Sequence, residues 1–135
     1  MGRYVAYVAG SAIGALQCQW SEPLTAAPTT VTLRVRNNTG KTITLIAAQG
    51  FSETANNQVG TVLDIWANGA TVLTAPINMQ VSDQINAAGG IAPANNTVAN
   101  GVDILFTLTN FNGGGATAMN DAQATVFYTE EFATT

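Results

Sequence analysis

Charge is what this sequence has least of. Asp, Glu, Lys and Arg together make up 9% of its 135 residues, and there is no histidine, whereas an ordinary soluble domain is roughly a quarter charged. Solubility must come instead from Thr, Asn, Gln and Ser, and from covering part of the surface with other copies or a partner. The missing histidine removes the side chain most used for proton transfer near neutral pH and the commonest metal ligand. The single cysteine, Cys18, excludes an internal disulfide and a thiolate zinc cage within one chain. As a nucleophile it would also lack its usual histidine partner. Cys18 is therefore expected to act as a small buried hydrophobe. With no nucleophile motif and no phosphate-binding loop, the chain is not expected to be an enzyme or to carry a cofactor or metal.

The few charges are unevenly spread. Residues 1–41 hold all four cations (Arg3, Arg34, Arg36 and Lys41) and one acid, while residues 42–135 hold seven acids and no cation. A net charge of −4 excludes nucleic acid as the partner, since that binding needs clustered Lys and Arg to release phosphate counterions. Ion pairs across strands, or between subunits meeting basic end to acidic flank, would settle the asymmetry.

The length suits one domain with its own core, residues 1–135. Within it, residues 1–28 read as an N-terminal arm or strands and residues 29–135 as the body. Residues 4–16 have the apolar flavour of a signal-peptide core, but Gln17 stands where a lipoprotein site wants a small residue before Cys18. The run is too short to span a bilayer, and Ala6 occupies the Ser/Thr position of a myristoylation pattern. It reads as ordered structure, two short strands around Gly10-Ser11 and Gly14, with a small-residue helix as the alternative. As an arm reaching a neighbour, it would have its apolar character explained.

Strand signals dominate the remainder. Thr29–Arg36 alternates, with Val31, Leu33 and Val35 on one face and Thr32, Arg34 and Arg36 on the other. Asn37-Asn38-Thr39-Gly40 then tolerates a tight turn and residues 41–45 resume the alternation, so a hairpin is expected. Further strands are expected at residues 58–66, 70–75, 78–81, 102–110 and 122–128, separated by Asn- and Gly-rich turns. Nothing after residue 29 sustains helical spacing with start and stop signals. The fold class is thus all-β, an antiparallel two-sheet β-sandwich, jelly-roll-like, with an apolar N-terminal arm or strand pair. Residues 86–101 form a long loop, expected to be an interface because Ile91, Pro93 and Val98 give it something to bury. Glu130 and Glu131 are expected in a short solvated tail.

Candidate functional residues follow from these patterns. Alternation puts Asp64 and Trp66 on one face, opposite Leu63 and Ile65. A carboxylate beside an indole could hold a sugar, the ring stacking on its apolar face and the oxygens accepting its hydroxyls. The plainer expectation is a packed Trp66 with Asp64 paired to an arginine. Asp103, opposite Val102, Ile104, Phe106 and Leu108, should face solvent within reach of Arg34 or Arg36. Asp64 and Asp103 are the pair a glycosidase would need to bring together. Asn37-Asn38-Thr39 and Asn95-Asn96-Thr97 match the N-glycosylation pattern. Assembly contacts are expected at Tyr4, Tyr7, Ile13, Arg34, Arg36, Ile91 and Pro93.

The segment Val35-Arg36-Asn37-Asn38-Thr39-Gly40-Lys41-Thr42 resembles the early strand-turn-strand of actinoporin and aegerolysin β-sandwiches, which implies a membrane-binding module. The resemblance covers under a tenth of the chain, and the scarcity of aromatic and basic residues after Trp66 departs from it. The Thr/Asn/Ala/Gly-rich, charge-poor composition is similar to that of small β-sandwich decoration or capsid proteins of viruses, without a shared motif. The expected function is a structural subunit of a homo-oligomeric assembly, a viral capsid or capsid-decoration protein. Its partners would be other copies of itself and a major capsid or surface protein, with a virion or extracellular surface as location. An extracellular filament subunit, a glycan-binding lectin-like module and a membrane-binding module are the alternatives.

Overall fold

The computed structural model describes residues 11–20, 29–52, 61–79, 86–87, 90–110 and 121–131. Tyr4, Tyr7 and the expected strand ends at residues 58–60 and 80–81 lie outside them. The described strands are β1 (Ser11–Gln19), β2 (Thr29–Arg36), β3 (Ile43–Phe51), β4 (Val62–Ala67), β5 (Ala70–Thr71), β6 (Ile77–Asn78), β7 (Asn86–Ala87), β8 (Thr97–Val98), β9 (Asp103–Asn110) and β10 (Gln123–Glu131).

Their pairing is nested. The first strand pairs with the last, β2 with β9, β3 with β8 and β7, and β4 with β5 and β6, every pair antiparallel. This is one long antiparallel hairpin, rolled so that β10 also lies beside β3 and β9 beside β4. Two sheets result, ordered β1-β10-β3-β7 and β2-β9-β4-β5, with β8 and β6 as short additions beside β3 and β4. The fold is a jelly-roll β-sandwich. Between the sheets lie Ile43, Leu45, Leu63, Ile65, Ile104, Phe106, Leu108 and Val126, all at or below 1% exposure. They are the alternate residues of the central strands, as a half-buried strand requires.

Four expectations are corrected. β2 and β3 are not a hairpin: they pair with β9 and β10 in different sheets, and residues 37–42 form a corner between layers. Alternation shows which face of a strand is buried but not which strand lies beside it, and the turn residues suit a corner as well as a hairpin. The two strands and the turn of the membrane-protein resemblance are present, but the strands do not pair with each other. Ser11–Gln19 is one continuous edge strand rather than two short ones, in register with β10 along its whole length. The long loop is ordered by short pairings, namely β7, β8 and a Leu73–Ile91 bridge. Ile91 there packs against the core and Val98 is fully buried, while Pro93 opens a short 3-10 turn and is exposed. Glu130 and Glu131 continue β10 opposite Ala12 and Ser11 instead of forming a tail.

The β1–β10 contact is close. A Cβ placed on Gly14 would stand 2.5 Å from the Tyr128 ring, so glycine lets the aromatic side chain cross its neighbour. Cys18, on the same strand, is half-buried against the core. Burial pushes its thiol up from 9.0 to about 12, only partly offset by a hydrogen bond with the Ala124 backbone. A thiol reagent at about pH 8 is therefore expected to react slowly with folded protein and quickly with denatured protein. Because the folded state holds the proton longer, Cys18 stabilises the fold fully below the ordinary thiol value. That stability is lost as pH rises toward about 12.

Candidate functional site

Two solvent-facing sheet surfaces are available. On the outer face of β2-β9-β4, alternation and register build rows across the strands: Thr30 with Thr109, Thr32 with Thr107 and Asp64, and Arg34 with Leu105 and Trp66. The threonine hydroxyls bond across β2 and β9, Thr30 to Thr109 at 3.3 Å and Thr32 to Thr107 at 3.0 Å. Asp103 collects both nearby cations: Arg36 Nε donates to Oδ1 at 2.9 Å and Arg34 lies 3.5 Å from Oδ2. The hydrogen bond from Arg36 holds the Asp103 carboxyl below its ordinary value. Asp103 and the two arginines thus meet as the alternation suggested. A glycosidase acid needs its pKa raised, which is the opposite of what Asp103 experiences.

Asp64 and Trp66 are brought together and bonded to each other. Trp66 Nε1 donates to Asp64 Oδ2 at 2.9 Å. Asp64 Oδ1 accepts from Thr71 Oγ1 at 2.6 Å and from the Ile65 amide at 2.9 Å. Both carboxylate oxygens are engaged in fixing the indole, which remains 39% exposed. The expected arginine partner is replaced by Trp66 itself and by Thr71, a residue sequence reading passed over because it lies on the next strand.

The outer face of β1-β10-β3 is different in kind. Its rows are Gln19, Gln123 and Phe51; Gln17, Thr125 and Gln49; and Ala15, Phe127 and Ala47. None of these residues carries a charge. A shallow groove of about 270 Å³ runs between Gln17, Gln49, Phe51, Gln123 and Thr125, and Gln17 Nε2 donates to Gln123 Oε1 at 2.9 Å. Where the register slips by one residue between Phe127 and Tyr128, β3 bulges. Ile46 is thereby turned outward beside Ala47 and left 47% exposed.

The two glycosylation patterns turn out to be structural clamps. Asn37 is fully buried. Its Nδ2 donates to the Lys41 and Val98 carbonyls at 2.9 Å each, and its Oδ1 accepts from the Thr39 amide and hydroxyl. Asn95 Nδ2 lies 2.9, 3.0 and 3.1 Å from the carbonyls of Ala67, Ala70 and Thr71. A sugar on either Nδ2 would displace these bonds. The signal that could have shown this is the tendency of Asn in turns to bond nearby backbone. Ile13 lies in β1 opposite Thr129. Among the described residues no group of three or more metal-ligating side chains occurs.

No protein-family model matches the chain, and no curated protein is similar to it in sequence. Solved structures with a similar fold include the VP2 protein of infectious bursal disease virus in T=1 particles derived from a mutant. That likeness has 15% identity and a TM-score of 0.46, and it covers 90% of this chain and 32% of the other. The Gx strain of the same virus gives 15% identity, a TM-score of 0.45 and the same coverages. A VP2 subviral particle gives 16% identity and a TM-score of 0.40, over 92% of this chain and 38% of the other. The chain therefore spans about a third of the length of these proteins.

Proposed function

We propose that this chain is the structural subunit of a homo-oligomeric assembly, specifically a capsid or capsid-decoration protein of a virion. The observation that carries the reading is the run of three uncharged rows on the outer face of β1-β10-β3, where amides, small residues, Phe127 and an exposed Ile46 replace the usual Lys and Glu. Such a surface meets another protein surface with little desolvation of charge and no like-charge repulsion. The opposite face instead carries charge, two arginines to one acid in the Arg34–Asp103–Arg36 cluster. Residues 1–10, with Tyr4 and Tyr7, would extend the contact to a neighbour.

Light scattering on the native protein over a wide dilution series tests this. The expected result is a large species that resists dilution, visible as regular particles by electron microscopy. A monomer at every concentration would overturn it. Truncation to probe the N-terminal segment should stop at residue 10, because removing Ser11–Gln19 strips β10 of its partner. Glycan binding is the second reading, supported by the exposed indole of Trp66; Trp66→Ala abolishing retention on a neutral-glycan array would favour it.

A further inference from the structure

The two sheets differ in how their first strands are guarded. Among the described residues, β1 pairs only with β10 and β2 only with β9, so each forms a sheet edge. Edge strands expose unpaired backbone groups and are usually protected by charge, proline or brevity. β2 carries Arg34 and Arg36, both more than half exposed. β1 is nine residues long, Ser-Ala-Ile-Gly-Ala-Leu-Gln-Cys-Gln, with no charge and no proline.

The direction of its free groups can be worked out. The Trp20 amide, one residue beyond β1, donates to the Ala122 carbonyl at 2.9 Å. Counting back in twos, Cys18, Leu16, Gly14 and Ala12 also turn their N–H and C=O toward β10. Ser11, Ile13, Ala15, Gln17 and Gln19 therefore turn theirs to the open side. This set is symmetric about Ala15.

We propose that β1 pairs antiparallel with β1 of a second copy across a two-fold axis at Ala15, joining two β1-β10-β3 sheets into one. Ala15 then faces Ala15, Ile13 faces Gln17 and Ser11 faces Gln19, and every open-edge N–H and C=O of these residues finds a partner. No charged residue is brought opposite another. A shift by one residue is excluded because it would set inward-turned backbone groups against outward-turned ones, and among shifts by two this register is the one that pairs all five outward-turned residues of β1. The inference rests on the assembly reading above and names the contact through which it begins.

The test is a disulfide placed on the axis. Paired Ala15 residues would have Cα atoms about 5.5 Å apart, within the range a disulfide spans. In a Cys18→Ala background, Ala15→Cys is expected to give a covalent dimer on mild oxidation. Gln17→Cys is expected to stay uncrosslinked, since two such residues would lie about 13 Å apart along the strands. A second variant, Ala15→Pro, removes only an open-side N–H, which an edge strand tolerates. It is expected to leave a folded protein, by circular dichroism, that no longer assembles. An assembly in which Ala15→Cys fails to cross-link, or Gln17→Cys cross-links equally, would overturn this contact and leave the assembly reading standing. A native protein that is monomeric throughout would overturn the assembly reading itself.

Discussion

Replacing Asn37 by alanine is expected to destabilise the fold by about 3 kcal/mol, in line with leaving buried polar groups without partners. Asn37 joins three parts of the corner: its own turn through Thr39, the start of β3 through the Lys41 carbonyl, and the end of β8 through the Val98 carbonyl. Thr39 Oγ1 also bonds Lys41 O at 3.0 Å, so that acceptor keeps a partner in the variant. The Val98 carbonyl loses its side-chain donor, and the Thr39 amide loses its acceptor. Thermal unfolding should show a midpoint lowered by roughly 10 °C, whereas Asn38→Ala, at an exposed neighbour, should change stability by less than about 0.5 kcal/mol. Equal, small shifts for both variants would count against the clamp. Mass spectrometry of folded protein made in a glycosylating host is expected to find Asn37 and Asn95 unmodified.

Phe106→Ala is expected to cost about 3–5 kcal/mol, a large part of the roughly 5–15 kcal/mol that holds an ordinary domain folded. Among the described residues Phe106 is the largest fully buried side chain. It sits on β9 between Leu33 of β2 and Ile65 of β4, so no exposed neighbour can relax into the space. Urea unfolding should show a lower midpoint with an unchanged slope. A loss below about 1 kcal/mol would mean that the two sheets close over the cavity.

The sequence made some of this architecture legible and hid the rest for physical reasons. β2 was readable to the residue because Val31, Leu33 and Val35 alternate with Thr32, Arg34 and Arg36, and β9 nearly so. The same alternation correctly placed Asp64 with Trp66, and Asp103 within reach of the arginines. β1 was harder: Ala12, Gly14 and Ala15 are too small for alternation to mark a face, so one strand read as two. The β3 bulge at Ile46 was also hidden, since a slip in register depends on β10. The partner of each strand was not legible locally, which is why the β2–β3 corner read as a hairpin. Asn37 and Asn95 read as surface acceptors because the carbonyls they hold come mostly from distant segments, Val98 for one and Ala67 to Thr71 for the other.

Nested pairing also orders events in time. As the chain emerges during synthesis, β1 comes first and its partner β10 last, with Ser11 waiting for Glu131. Among the described strands only the innermost pairs, β4 with β5 and β6, join neighbouring segments, so the other pairs bring together distant parts of the chain, a topology that is expected to slow folding. The two ends of the described fold therefore depend on each other: a chain that stops before residue 123 has no β10 for β1 to pair with.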